Sequence, residues 1–218
     1  MKKVNGIDTL EGTELFWDDK DTGTFGYYKD DNKRTGPVGD WIYSHKRIIE
    51  ALPSKRTCIQ AGGAMGLYPL LLANLFDVVH TFEAYKPSYD IMKMNILEHG
   101  VDNIKAFNYA IGDTAKMVDI HVDSPSNLGM NRIVEKKRDG EICMITVDSI
   151  VTMNVDLIWF DIEGYEADAL AGSMETIKKN MPVIGLETPN DECRDLLKCL
   201  GYVKEEKSVS DTFFYPPT

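Results

Sequence analysis

Short unbroken apolar runs recur along this chain, and each is followed by a segment whose apolar positions fall three and four residues apart. Thr57 to Ala61, Val78 to Phe82, Asn103 to Phe107, Val155 to Phe160 and Pro182 to Leu186 read as buried strands. Between them, Leu67 to Phe76 is apolar almost all round, with Pro69 in its first turn, as suits a helix pressed against a sheet. Lys86-Pro87-Ser88 opens a second helix carrying Tyr89, Met92 and Ile96 on one face, with Gly100 past its end. Leu170, Met174, Ile177 and Met181 form one continuous helical stripe. Asn190 caps a last helix bearing Cys193, Leu196, Leu197 and Leu200, stopped by Gly201. Upstream, Asp40 offers an N-cap for a helix with Trp41, His45, Ile48, Ile49 and Leu52 on its apolar side, ended by Pro53. His45 on that stripe reads as a packed core residue.

The remaining segments are less regular. Met117 to Val122 alternates as a strand with one wet face, where His121 is solvated. Residues 123–141 have no period and read as a long loop, and Ile142 to Val147 as a short strand with Asp148 as the cap of the segment after it. Tyr202 to Lys204 and Thr212 to Tyr215 suggest two final strands joined across Ser208-Val209-Ser210. Residues 1–39 read as an N-terminal arm with a short strand at Glu14 to Trp17 and aromatic Phe25, Tyr27 and Tyr28; residues 40–218 form one domain.

Strands alternating with helices build a mostly parallel sheet, and right-handed crossovers bring the carboxyl ends of the strands to one rim, where ligands bind. That rule gathers residues far apart in sequence: Gln60 with the loop Ala61-Gly62-Gly63-Ala64-Met65-Gly66, then Glu83, Asn108-Tyr109-Ala110, Asp161 with Glu163, and Glu187. The glycines let backbone turn sharply and a ligand lie close to the amides. Glu83 stands about twenty residues beyond the loop, where open α/β sheets hold a ribose by its hydroxyls. Glu166 and Asp168, by contrast, read as structural caps of the helix they begin. The loop alone fits both a dinucleotide and S-adenosylmethionine. A carboxylate-rich turn after a later strand and a terminal pair of short strands favour the second.

Composition narrows the partners. With 24 basic against 35 acidic residues among 218, the net charge is −11, and no Lys/Arg block offsets it. Nucleic acid and anionic membrane are therefore excluded as expected partners. No apolar run is long enough to span a bilayer, and Cys58, Cys143, Cys193 and Cys199 lack metal spacing and read as buried reduced thiols, so a cytoplasmic location is expected.

Over residues 55 to 190 the chain resembles the FkbM family of S-adenosylmethionine-dependent methyltransferases. The resemblance rests on Gly62 to Gly66 with Leu67-Tyr68, the Phe82-Glu83 pair, Asn95, and above all Asp161-Ile162-Glu163-Gly164-Tyr165-Glu166 followed by Leu170-Ala171-Gly172; Glu187 matches the acid closing the next strand. It implies a class I, Rossmann-like α/β sandwich with a mostly parallel seven-stranded sheet and a C-terminal antiparallel hairpin. It also implies S-adenosylmethionine as cofactor and methyl transfer to oxygen of a small-molecule or carbohydrate acceptor. The expected cofactor site is Gln60, Ala61, Gly62, Gly63, Ala64 and Gly66 around the methionine part, Glu83, Ala84 and Tyr85 around the ribose and adenine, Asn108, Tyr109 and Ala110 at the adenine, and Asp161. Asp161, Glu163 or Glu187 is expected to serve as general base or to orient the acceptor hydroxyl. No metal is expected, because these acids lie on separate strands and no histidine joins them. Two departures stand out: Gln60 replaces a common acid before the glycine loop, and Ala84-Tyr85 follows the ribose acid where a proline is usual. They keep in view a non-catalytic binding module with a degenerate site, beside a nicotinamide-dependent oxidoreductase.

Overall fold

In the apolar runs alternate residues face opposite sides of a sheet, and each side is buried under helices. The computed structural model describes residues 2–5, 14–21, 37–134, 140–150 and 153–217, with the backbone path alone for 2–5, 14 and 37–43. Its strands are β1 (Lys2–Asn5), β2 (Glu14–Trp17), β3 (Thr57–Ala61), β4 (Val78–Phe82), β5 (Ile104–Phe107), β6 (Ala110–Ile111), β7 (Lys116–His121), β8 (Arg132–Val134), β9 (Ile142–Ile145), β10 (Val155–Phe160), β11 (Val183–Glu187), β12 (Lys204–Ser208) and β13 (Asp211–Tyr215). The helices are α1 (Pro37–Glu50), α2 (Leu67–Ala73), α3 (Lys86–Glu98), α4 (Glu166–Ala171), α5 (Met174–Asn180) and α6 (Asp191–Cys199).

The main sheet has seven strands in the order β12-β13-β11-β10-β3-β4-β5. Neighbours from β11 to β5 pair in parallel, and β13 runs antiparallel to both β11 and β12, which gives the expected parallel sheet closed by a C-terminal hairpin. Period-two alternation divides its core. Ile158, Phe160, Ile184 and Leu186 join Leu170, Ile177 and Leu197 beneath α4, α5 and α6. Leu157, Trp159, Val183 and Phe213 join Ile48, Ile49, Leu52 and Leu72 beneath α1 and α2. Burying one such side chain contributes about 1.5–3 kcal/mol. Helices as short as α4 and α5 exist because of that contact, since isolated helices of this length are unstable in water.

Several elements differ from the expectation. α1 begins at Pro37 rather than at an Asp40 cap, as proline favours a first helical turn. The stripe from Leu170 to Met181 is split into α4 and α5 at Gly172, where a Cβ would lie 2.0 Å from the Gly112 carbonyl oxygen. Asp148 caps α5, accepting from the amides of Glu175 and Thr176 at 3.0 and 2.8 Å, while Thr146 caps the turn that contains Asp148. The segment expected to be a long loop contains β8, which joins β7, β9 and β6 in a second, four-stranded sheet. Cys199 is exposed, unlike the buried Cys58 and Cys193.

Within the expected arm, β1 and β2 form an antiparallel hairpin, and Leu15 and Trp17 are buried against Met65, Leu67 and Met92. Asn95 on α3 clips this hairpin to the glycine loop. Its Oδ1 accepts from the Phe16 amide at 2.7 Å, and its Nδ2 donates to the carbonyls of Phe16 and Met65 at 3.0 and 2.7 Å. Phe25, Tyr27 and Tyr28 lie outside the described residues. No helix among the described residues is long and apolar enough to cross a membrane.

Candidate functional site

The strand register aligns the ends of the parallel strands in one row. Leu186 pairs with Phe160, Phe160 with Ala61, Ala61 with Phe82, and Phe82 with Phe107. The next residue of each strand therefore stands on the rim: Glu187, Asp161, Gly62, Glu83 and Asn108, with Asp211 beside Glu187 on the antiparallel neighbour. The chain order reverses at β3 between β4 and β10, which is where open α/β sheets leave a crevice.

The glycine loop is bound to both flanking strands. The amides of Gly62 and Gly63 donate to the Phe82 carbonyl at 3.0 and 2.9 Å, and the Asp161 amide donates to the Ala61 carbonyl at 3.1 Å. Gly62 has φ of +87°, and a Cβ there would stand 1.8 Å from the Asp161 carbonyl oxygen. Gly62→Ala is accordingly expected to destabilise the fold by about 3 kcal/mol or more, since backbone must move on both strands. A fall in melting temperature of about 6 °C or more in a thermal unfolding scan checks this; an unchanged transition would show that the loop relaxes freely.

Glu83 is fixed by its neighbours. Its Oε2 accepts from the Ala64 amide and its Oε1 from the Tyr85 amide, both at 2.7 Å, so one lone pair of each oxygen is used and others face the cavity beside it. Burial pushes its carboxyl up to about 7, against the opposing pull of these two amides. Asn108 stands behind this turn, its Nδ2 donating to the carbonyls of Glu83 and Ala84 at 2.8 and 3.0 Å.

Two adjoining cavities open at this rim. The smaller, about 110 Å³, lies between Glu83 with Ala84 and the apolar side chains of Phe82, Ile111, Ile120 and Ile133, with Tyr109 at its wall. The larger, about 260 Å³, extends toward Trp17, Tyr68, His45 and Asp211. Gly62, Ala64, Leu128, Gly129, Asp161 and Glu163 line both and mark their boundary.

Glu163 and Asp161 at that boundary meet Glu187 on the wall of the larger cavity, with one carboxylate oxygen of each lying within 4.8 Å of the others. Separate strands thus do not keep them apart, and oxygen donors so placed are able to hold a hard cation. Burial first, then the charge of Glu187, holds Asp161 well above the ordinary carboxylate range, and its carboxyl is hydrogen-bonded to Glu187. Glu163 is pushed up to about 7 by burial and by Glu187 and Glu166. Its backbone is left-handed, φ 53°, as are those of Ala64 (44°) and Thr188 (40°), so strain gathers along the rim. Glu166 is structural but not the cap expected of it: Tyr165 takes the N-cap place with no side-chain bond, and Glu166 Oε1 reaches back to accept from the amides of Ile162 and Gly164 at 3.0 and 3.4 Å, which shapes the turn.

The structure brings together most of the residues that the sequence singles out. Ala61, Gly62, Gly63, Ala64, Glu83, Ala84, Tyr109, Ala110, Asp161, Glu163 and Glu187 all line the two cavities. Gln60, Gly66, Tyr85 and Asn108 do not. Gln60 is buried beneath the loop, where Nε2 donates to the carbonyls of Gly62 and Ala61 at 2.9 and 3.2 Å and Oε1 accepts from the Thr81 hydroxyl at 2.6 Å. A carboxylate could not donate those two bonds, so Gln60 supports the loop rather than facing a ligand. Tyr85 serves through its amide and begins α3. Sequence reasoning missed Trp17, Asp21, Tyr68 and Asp211 as cavity residues. His45, read as core, is buried as expected, yet it also lines the larger cavity, with Nε2 3.2 Å from the Ser208 carbonyl and 3.5 Å from Asp211 Oδ2.

The family described as the methyltransferase FkbM domain matches residues 44–204. No curated protein matches the chain. Among solved structures, the chain superposes on an FkbM methyltransferase from Methylobacillus flagellatus KT with a TM-score of 0.55 at 17% identity, over 74% of this chain and 44% of that one. It therefore spans less than half the length of that relative. It also superposes on the precorrin-8W decarboxylase of Methanobacterium thermoautotrophicum (TM-score 0.51, 12% identity, 84% of this chain and 93% of that one). A third likeness is to an rRNA methylase from Streptococcus thermophilus (0.50, 11%, 85% and 99%). At these identities the likeness shows the class I methyltransferase fold alone.

Proposed function

The chain belongs to the FkbM methyltransferase family, and we propose that it uses S-adenosylmethionine to methylate a hydroxyl of a small-molecule or carbohydrate acceptor. The observation that carries this reading is Glu83, a carboxylate with two fixed oxygens on the wall of a mostly apolar cavity, next to the glycine loop. The lining suits a nucleoside whose base enters this cavity and whose ribose lies at its mouth: Glu83 would accept from the ribose diol, and Phe82, Ile111, Ile133 and Tyr109 would enclose the base. Gly62 to Ala64 then hold the amino-acid end near Asp161. When bound, S-adenosylmethionine supplies a methyl group already activated by its sulfonium.

The chain's own residues do the rest. The larger cavity holds the acceptor, and Glu163, at its boundary with the smaller one, takes the proton from the acceptor hydroxyl as the oxygen becomes the nucleophile. A carboxyl pushed up to about 7 is suited to that task, because near neutrality it is ionised yet basic enough to accept a proton. Burial and the charge of Glu187 hold the Asp161 carboxyl well above the ordinary range, which makes it the poorer base, and its place beside Glu187 suits the pair to orienting the acceptor. The acidic rim opposes a polyanion, in keeping with a small acceptor rather than nucleic acid.

Calorimetric titration of the ligand-free protein with S-adenosylmethionine, S-adenosylhomocysteine and NAD tests the reading. Binding of the first two and not of NAD is expected. Binding of NAD alone would turn the assignment to a nicotinamide-dependent oxidoreductase, and binding of none would leave a non-catalytic module.

A further inference from the structure

The larger cavity carries an unbalanced charge. Asp21, Asp161, Glu163, Glu187 and Asp211 contribute to its wall, and no lysine or arginine does among the described residues. His45, the basic side chain present there, already faces Asp211. The rest of the wall includes the aromatic rings of Trp17 and Tyr68 and the apolar Met65 and Leu128. Carboxylates gathered beside apolar surface repel one another strongly, because little solvent screens them. The carboxyls of Asp161 and Glu163 are both raised, first by burial and then by the charge of Glu187. A positive charge entering the cavity removes that repulsion.

Two kinds of cation fit the charge, and the walls choose between them. A metal ion would engage the clustered oxygens of Asp161, Glu163 and Glu187 and leave most of a 260 Å³ cavity, with its aromatic rings, unfilled. Carboxylates together with aromatic faces are the recognition chemistry of an organic ammonium. Resting on the methyltransferase reading above, we propose that the acceptor is a hydroxylated organic cation, such as an amino sugar or amino alcohol. Its ammonium lies against the Asp161–Glu187 pair and the aromatic wall, and its hydroxyl is turned toward Glu163. The acidic chain as a whole, at −11, also draws such a cation to the rim.

The test is titration of the protein saturated with S-adenosylhomocysteine, in buffer containing EDTA so that no divalent ion competes. Two charge-matched triplets serve as probes: glucosamine, glucose and glucuronate, and ethanolamine, ethylene glycol and glycolate. In at least one triplet the cation is expected to bind at least tenfold more tightly than its neutral partner, with no detectable binding of the anion. Glu187→Gln, titrated with S-adenosylhomocysteine kept saturating, should weaken the cation at least fivefold. The inference is overturned if neutral members bind as well as the cations, if an anion binds, or if neither cation binds while S-adenosylhomocysteine does. Failure of S-adenosylhomocysteine to bind would instead sink the methyltransferase reading, and this one with it.

Discussion

Replacing Glu83 by alanine is expected to weaken binding of S-adenosylmethionine and S-adenosylhomocysteine by about 100-fold or more, measured by calorimetry. A hydrogen bond to an ionised carboxylate contributes about 1.5–3 kcal/mol, and the ribose diol offers two. Even the lower figure taken twice corresponds to about two powers of ten. The amides of Ala64 and Tyr85 lose their partner, but the emptied cavity admits water to them, so the fold should survive with a cooperative thermal transition. Retained affinity would remove the central assignment. The pH dependence of the wild-type protein gives an independent reading of the same group. Ribose hydroxyls donate to the ionised carboxylate, so affinity should fall as pH drops through about 7, by about tenfold from pH 8 to pH 6. Stability of the ligand-free protein runs the other way. The folded-state pKa lies above the unfolded one, so the folded form binds the extra proton between about 4.5 and about 7, and stability declines as pH rises through that window.

The rim is legible in the sequence because its residues come directly after apolar runs whose ends are easy to place. Glu83 follows Phe82, Asp161 follows Phe160 and Glu187 follows Leu186, and pairing the runs in register aligns all of them. The small second sheet is less so. β6 and β8 are two and three residues long, too short to show alternation. Gln60 reads as a weakened ligand in the sequence because its place in the motif is visible there and its partners, Thr81 and two carbonyls, are not. The larger cavity depends on tertiary approach. Trp17 reaches it through Asn95 clipping the hairpin to α3, and His45 through the packing of α1 over Trp159, their rings 5.1 Å apart. Gly172 ends α4 for a reason that lies far away in sequence, at the Gly112 carbonyl. Periodicity reports which face is buried, not what it is buried against.

Glu163→Gln is expected to lower turnover by a factor of about 10² to 10⁴, the usual contribution of a positioned general base, with S-adenosylhomocysteine affinity unchanged. The acceptor identified by the charge-matched titrations is the substrate for this assay. Three carboxylates stand close enough to be candidates, and their environments separate them. Burial and the neighbouring charge of Glu187 hold the Asp161 carboxyl well above the ordinary carboxylate range, which disfavours the ionised form that a base needs, and Glu187 lines only the larger of the two cavities. Glu163 has its raised pKa near neutrality and sits where the two cavities meet. Its left-handed backbone, φ 53°, costs about 1 kcal/mol or more and persists because Glu166 clamps the amides on either side. Strain kept at a boundary between two ligand cavities fits a residue whose position matters more than its stability. The base must be ionised to act, so the wild-type rate, measured with S-adenosylmethionine kept saturating at every pH so that Glu83 does not contribute, should rise with pH and level off above about 7, whereas the glutamine variant should show no step there. A variant active within tenfold of wild type, or one that keeps the step, would take Glu163 out of the chemistry and leave the acceptor proton to solvent.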